Sequence, residues 1–210
     1  MTSRIMQAYK AHRLALPWVL FKKSFAKIAR VETLVFFAYP LRTSTPQCDL
    51  NKDSALQIIP IDDLRHDFFF VRLCQKYPGR KFSERLQSVG QQCFIAVRNE
   101  AIAGFAWTTR TDIYLDEIAR VHFVAHDEAF IYDCFVEPEH RGTGIYPAML
   151  QYILKQQCKA PQINTVTIAA ASDNRASMRG IVKAGFTEQH RIHYVRFRQS
   201  QRWWGVPHLG

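Results

Sequence analysis

Long apolar runs are missing from the N-terminal part of this 210-residue chain. The longest uncharged one there, Leu14–Phe21, has eight residues and is broken by Pro17, whereas a membrane-spanning helix needs about 20. Lys22, Lys23 and Lys27 follow it with no small-x-small pattern ahead of them, which argues against a secretory signal peptide, and neither end carries a lipidation motif. Cysteine is sparse and unpaired in pattern: five residues, at 48, 74, 93, 134 and 158, form no Cys-x-x-Cys. With no histidine cluster beside them, a zinc site is not expected and no metal ligand is assigned. Cys93, Cys134 and Cys158 sit in apolar runs and read as small core residues, which fits a reducing, cytoplasmic setting. There are no internal repeats. Acidic residues are nearly absent from residues 1–45, where Glu32 faces eight Lys and Arg; the other 165 residues hold 20 basic and 17 acidic side chains. The net charge of +10 therefore belongs mainly to the N-terminal segment.

What is present supports a folded core. Hydrophobic residues make up 48% of the chain and aromatics 13%, enough for one domain of ordinary size with an extra segment. Residues 5–29 are apolar and basic, and read as two short helices divided by Pro17. Trp18, Phe21 and Phe25 among Arg13, Lys22, Lys23 and Lys27 suit an anionic membrane surface or an acidic partner, hence peripheral association with the inner face of a membrane. The same pattern suits helices packed on the domain with their cations outward. Val31–Tyr39 reads as a strand, and 42–54 as a polar linker. The expected organisation is a basic extension and linker over 1–54, a main domain over 55–198, and a tail over 199–210. Trp203-Trp204 and the nearby arginines raise nucleic acid as a ligand, but no recognised motif supports it and none is expected.

Within the main domain, Leu56–Ile61 is a short strand. Asp62 then caps a helix with Leu64, Phe68, Val71 and Cys74 at helical spacing. Pro78-Gly79 ends it, and Phe82–Val89 forms a second short helix closed by Gly90. Cys93–Val97 and Ile102–Thr108 form a hairpin about Asn99-Glu100. Ile118–Val124 alternates weakly, and Ala129–Val136 is a central strand. Ile145–Cys158 is a helix with Ile145, Met149, Leu150, Ile153 and Leu154 on one face. Ile163–Ala169 is the next strand, with Val166 and Ile168 on one side. Asp173 or Asn174 caps a helix to Ala184, stopped by Gly185 with Phe186 packing back. His190–Arg198 is the last strand. This order describes an α/β domain with a mixed sheet.

The most informative stretch is Val136-Glu137-Pro138-Glu139-His140-Arg141-Gly142-Thr143-Gly144-Ile145-Tyr146, placed between a strand and a helix. Glycines allow close approach of the backbone to an anion, and the first N–H groups of the helix point at it with the positive end of the helix dipole behind them. A second signature lies downstream at Asn174-Arg175-Ala176-Ser177 and Lys183-Ala184-Gly185-Phe186. On these paired motifs, residues 55–198 resemble the GNAT superfamily of acyl-CoA-dependent N-acetyltransferases, whose pyrophosphate motif runs Arg/Gln-x-x-Gly-x-Gly/Ala. Ile131–Val136 also resembles members associated with bacterial surface-polysaccharide clusters.

The resemblance implies a GNAT-like, mostly antiparallel sheet flanked by helices, with acetyl-CoA as acyl donor. Backbone groups of Cys134, Phe135 and Val136 would bond the pantetheine amides between two splayed strands. Residues Gly142, Thr143, Gly144, Ile145 and Tyr146 would hold the pyrophosphate, with Arg141 adding charge. Asn174 would reach the pantetheine, and Ser177 would sit near the sulfur. The implied reaction is attack of a primary amine of a small molecule on the thioester, the acceptor being an amino sugar, nucleotide-linked, or another amine. An alkylammonium with a pKa of about 10.4 needs a base, for which Asp133 and Glu117 are the candidates. Two departures stand out: Tyr146 replaces the usual Gly or Ala, and Ile181 occupies the position where many members carry the tyrosine that protonates the thiolate. Tyr132 and Tyr146 are the candidate replacement acids. The same departures admit a non-catalytic acyl-CoA-binding module. The oligomeric state is not readable.

Overall fold

A computed structural model describes residues 29–43, 55–61, 68–116, 118–197 and 203–206. The helices expected over 5–29 (all but Ala29, which is in a strand), most of the linker, the Asp62 cap with Leu64, and Glu117 lie outside the described residues. The chain divides into two compact units, Leu34–Arg191 and a smaller one formed by Met1–Thr33 with Ile192–Gly210.

Strands are β1 (Ala29–Pro40), β2 (Leu56–Ile61), β3 (Gln91–Arg98), β4 (Ala101–Thr109), β5 (Ile113–Leu115), β6 (Arg120–His122), β7 (Glu128–Val136), β8 (Thr165–Ala171), β9 (Thr187–Phe197) and β10 (Trp203–Val206). Helices are α1 (Phe68–Lys76), α2 (Phe82–Gln87), α3 (Ile145–Gln157) and α4 (Arg175–Lys183). In the larger unit the order across the sheet is β9-β1-β8-β7-β4-β3-β2. Only β7 and β8 run parallel among the registered pairs, because α3 carries the chain back over the sheet between them. The mixed, mostly antiparallel sheet with flanking helices is the expected fold.

Local chemistry explains most of these elements. Asn99 and Glu100 both take positive φ, 49° and 62°, the geometry of a tight two-residue hairpin turn between β3 and β4. At the end of α4, Gly185 (φ 99°) lets its N–H reach Val182 O and lets Phe186 N–H reach Ile181 O, the paired bonds of a glycine helix stop. Ile145, Met149, Leu150, Ile153 and Leu154 are all buried against the sheet, as their spacing predicts. A second core on the opposite face joins α1 and α2 to the sheet through Phe70, Leu73, Phe82, Phe105 and Trp107.

Three expectations change. β1, assigned to the N-terminal extension, pairs with β8 from Leu34↔Ala171 to Pro40↔Thr165. The boundary drawn near residue 54 therefore falls inside the larger unit. Its side chains Val35, Phe37 and Tyr39 enter the same core as α3, so the polar stretch 42–54 links two strands of one sheet. The phase of α1 is also different: Phe68 and Val71 are exposed, while Phe70 and Leu73 are buried. The stretch Phe68-Phe69-Phe70-Val71 is apolar all round, so spacing alone does not select the inner face. Finally, Cys158 is exposed and Cys134 half-buried, whereas Cys93 is buried. In the smaller unit, part of the expected tail forms β10, antiparallel to β9 from Trp203↔Arg196 to Val206↔His193.

Candidate functional site

The site is built where β7 leaves its neighbour. The β7–β8 ladder runs from Glu128↔Thr165 to Ile131↔Ile168 and stops, although β7 continues to Val136 and β8 to Ala171. On its other side β7 stays paired with β4 as far as Val136↔Gly104. The cause is a bulge. Between Tyr132↔Trp107 and Phe135↔Phe105, Asp133 and Cys134 oppose Ala106 alone, and Asp133 adopts φ 44°. An extra residue in the left-handed region bends the strand and reverses its alternation. Ala129, Ile131, Cys134 and Val136 accordingly pack with the α3 core, and Tyr132 and Phe135 with the α1–α2 core. Beyond the bulge, the backbone groups of β7 that point away from β4 have no strand partner among the described residues. Gly104 is required for the close approach that remains: a Cβ there would lie 2.5 Å from the carbonyl oxygen of Phe135.

The chain then turns through Pro138–His140 into a loop of unused donors. Gly142 and Gly144 take φ 78° and 87°, with open space where a Cβ would stand. Among the described residues, no acceptor meets the backbone N–H of Gly142, Thr143, Gly144, Ile145 or Tyr146; the first helical bond runs from Ala148 to Gly144 O. A row of free N–H groups at a helix start, flanked by left-handed glycines, forms an anion cradle. Arg141 does not point into it: its Nε donates to Val136 O at 3.1 Å, and its guanidinium lies 5.7 Å from the centre of the Phe135 ring.

The second strand-to-helix junction adjoins the first. Asn174, the cap of the two candidates, accepts from Ser177 N–H through Oδ1 at 3.1 Å. Across from it, the Tyr146 hydroxyl lies 3.1 Å from Ser177 Oγ. The Tyr146 ring occupies the place of a side chain at Gly180: a Cβ there would come within 2.4 Å of Tyr146 Cδ1. The large residue at the last motif position is thus housed by a glycine on α4. Burial pushes Tyr146 and Cys134 well above their ordinary pKa; Cys134 adds to the rise for Tyr146 and the bond to Ser177 partly offsets it, while the charge of Asp133 adds to the rise for Cys134 and the bond with Tyr146 partly offsets that one. Both keep their protons at neutral pH. Ile181 is wholly buried in the core beneath.

The match to known proteins now bears on this geometry. The model of the acetyltransferase (GNAT) family matches residues 59–186.

The chain belongs to the GNAT family.

Solved structures share the fold at low identity. A GCN5-related N-acetyltransferase from Kribbella flavida superposes with a TM-score of 0.54 at 9% identity, over 88% of this chain and 64% of that one. A GNAT-family acetyltransferase from Novosphingobium aromaticivorans gives 0.51 at 13%, over 79% and 63%. A tandem GNAT protein from the clavulanic acid biosynthesis pathway gives 0.50 at 17%, over 88% and 57%. The chain thus spans less than two thirds of the length of these neighbours. No curated protein matches the sequence.

Within this GNAT fold the remaining candidate residues have definite neighbours. Both carboxylate oxygens of Asp133 are occupied, Oδ1 by Arg80 Nη1 at 2.6 Å and Oδ2 by Arg85 Nη1 at 2.5 Å. Tyr132 donates to Gln91 Oε1, and burial, with Arg85 and Asp133 acting in opposite senses, pushes its pKa up to about 12. Tyr132 packs on a different core from Cys134 and Tyr146. Beside the bulge, the buried Glu137 accepts from Lys76 Nζ and Tyr77 Oη, both at 2.5 Å, tying α1 to the end of β7. Arg80, Arg85, Gly104 and Gly180 were not singled out from sequence. The arginines reach Asp133 across 53 and 48 residues, and neither glycine stands in a turn motif, so no local pattern marks them.

Proposed function

We propose that this protein transfers an acetyl group from acetyl-CoA to a primary amine of a small molecule, through a ternary complex. The observation that carries this reading is the opening between β7 and β8 beyond Ile131, leading to the row of unpartnered N–H groups from Gly142 to Tyr146. The residues present fit coenzyme A. Two left-handed glycines leave room for a pyrophosphate, and the backbone of Cys134, Phe135 and Val136, which β8 leaves unpaired, can bond an extended chain bearing amides. When bound, acetyl-CoA would supply an activated acyl thioester.

The chain's own contributions follow. The cradle amides hold the anion without a cation, since Arg141 is engaged with Val136 O. Release of that contact would free the carbonyl and bring the guanidinium to the phosphates. Tyr146 holds a proton at Oη beside Ser177 Oγ; it is the group we assign to donating a proton to the leaving sulfur, in place of a tyrosine at 181. Asn174 keeps its Nδ2 donors available while Oδ1 caps α4. Asp133 has both carboxylate oxygens engaged by Arg80 and Arg85. We assign it to positioning arginines, and leave removal of the ammonium proton to water or to Glu117. An amino sugar, nucleotide-linked, is the acceptor put first.

Isothermal titration with acetyl-CoA tests the reading. Binding in the micromolar to sub-millimolar range is expected, lost by at least about tenfold in Gly144→Glu, which places a like charge in the cradle. No binding at millimolar acetyl-CoA, with the variant indistinguishable from wild type, would overturn it. The second reading, an acyl-CoA-binding module without turnover, is favoured by the buried Ile181. It predicts that cofactor binds but that no amine elicits release of free thiol.

A further inference from the structure

Beyond Asp133 the α1–α2 face carries more positive charge than it neutralises. Arg80 stands over the rings of Tyr77, Phe105 and Phe135, 5.3 to 5.7 Å from their centres. Arg85 stands over Phe82, Trp107 and Tyr132 at 5.7 to 5.8 Å. Of these rings Phe82, Phe105 and Trp107 are buried, and the ring contacts together with the bonds to Asp133 seat both guanidiniums against this face. Each spends a single Nη1 donor on Asp133 and remains about a third exposed, at 38% and 35%. No other acceptor meets either of them among the described residues. Arg141 shares the Phe135 ring with Arg80. Of the neighbouring carboxylates, Glu137 is committed to Lys76 and Tyr77 and the exposed Glu84 to Lys81, while Glu139 acts on Tyr77 through its charge alone. Beneath Arg85, the indole Nε1 of the wholly buried Trp107 meets no acceptor among the described residues.

We infer that Arg80 and Arg85 form the recognition site for an anionic group, a carboxylate or a phosphate, on the amine acceptor. The inference rests on the proposed acetyl transfer. Two planar guanidiniums with spare donors, fixed by a shared carboxylate, can take an anion through charge-assisted and bidentate bonds. Asp133 belongs to the bulge that opens β7 from β8, so the residue that shapes the cofactor wedge also aims the arginines. An acceptor anchored there would reach the opening between β7 and β8 from the α1–α2 side of the sheet, opposite the side of Cys134 and Tyr146. The site would reject neutral amines by leaving net positive charge unmatched, and polyamines by repulsion.

Binding of matched acceptors to the protein loaded with coenzyme A tests this by calorimetry. The pairs are glucosamine 6-phosphate with glucosamine, and γ-aminobutyrate with γ-aminobutyramide; they separate phosphate from carboxylate. The anionic member of at least one pair is expected to bind tenfold or more tightly. In Arg85→Gln the ratio should fall to about one, with acetyl-CoA affinity unchanged, and in Arg85→Lys it should be intermediate. A measurement needing no variant accompanies these: between 20 and 500 mM salt, the wild-type ratio should shrink several-fold. Equal binding within both pairs, or no binding by any of the four, overturns the inference. So does a loss of acetyl-CoA affinity in Arg85→Gln as large as the loss for the acceptor, because the arginines would then serve the cofactor. Failure of coenzyme A to bind at all would instead bring down the functional reading itself.

Discussion

Gly180 and Tyr146 show how one residue's chemistry depends on another 34 positions away. A glycine inside a helix normally costs about 1 kcal/mol relative to alanine. Here the missing side chain is the space that holds the Tyr146 ring. Gly180→Ala should therefore destabilise the protein by roughly 1 kcal/mol, because overpacking of about 1–3 kcal/mol outweighs the gain in helix propensity. In a Tyr146→Ala background the same change should stabilise it by up to about 1 kcal/mol. A double-mutant cycle by urea unfolding reads this directly, and the same sign in both backgrounds would show that the ring is not seated there. Glu137 yields a second residue-scale expectation. Burial pushes its pKa up, but the bonds from Lys76 and Tyr77 outweigh burial and hold it below the usual carboxylate range. Its folded pKa is depressed, so its stabilisation is present above the unfolded value of about 4.3 and is lost as pH falls through the folded value. Glu137→Gln should cost about 1–3 kcal/mol at pH 7. That difference from wild type should close in acid, which thermal unfolding across pH 3–7 would reveal.

At the level of elements, the bulge in β7 governs more of the site than any single side chain. It requires a left-handed residue at 133, and aspartate tolerates that conformation better than most residues. Asp133→Asn should keep the backbone while removing the negative charge and one of the two acceptor oxygens from the arginines, whereas Asp133→Val should remove both and also strain the strand, costing about 1–3 kcal/mol more. Gly104 sets the other wall. With a Cβ 2.5 Å from a backbone oxygen, Gly104→Ala must push β4 and β7 apart at Phe135. It is expected to lower stability by about 1–3 kcal/mol and to weaken acetyl-CoA binding severalfold, with Gly104→Ser no better. Unchanged affinity would mean that the end of β7 does not contact the cofactor. Much of this region was legible from sequence where the signal is local: glycines with positive φ, the Asn174 cap, the Gly185 stop, and the 3.6-residue face of α3. The bulge was not. Ala129–Val136 is apolar throughout except for Asp133, so its alternation carries no mark of the break, and the arginines that explain Asp133 lie about fifty residues upstream.

For the molecule as a whole, the largest gap between sequence and structure is β1. Its residues read correctly as a strand, yet the polar stretch 42–54 looks like a boundary, and nothing in a strand's own pattern names its partners. In the sheet β1 lies between β8 and β9; the Thr187 hydroxyl donates to Ala38 O, and Phe36 stacks on His190 at 4.6 Å. Leu34, Val35, Phe36, Phe37 and Tyr39 are each 6% exposed or less. At about 1.5–3 kcal/mol per buried side chain their burial is worth roughly 8–15 kcal/mol, comparable with the whole stability of an ordinary domain at about 5–15 kcal/mol. A chain beginning at Ser54 would retain both paired motifs and the full span 55–198 but lose this strand, exposing the facing edges of β8 and β9. It should lack a cooperative thermal transition, bind a hydrophobic dye, and fail to bind acetyl-CoA. Phe37→Ala in the full chain gives the graded counterpart, with a loss of about 3–5 kcal/mol and the cofactor site intact. Cooperative unfolding of the shortened chain near the full-length midpoint would show instead that β1 is dispensable to the sheet.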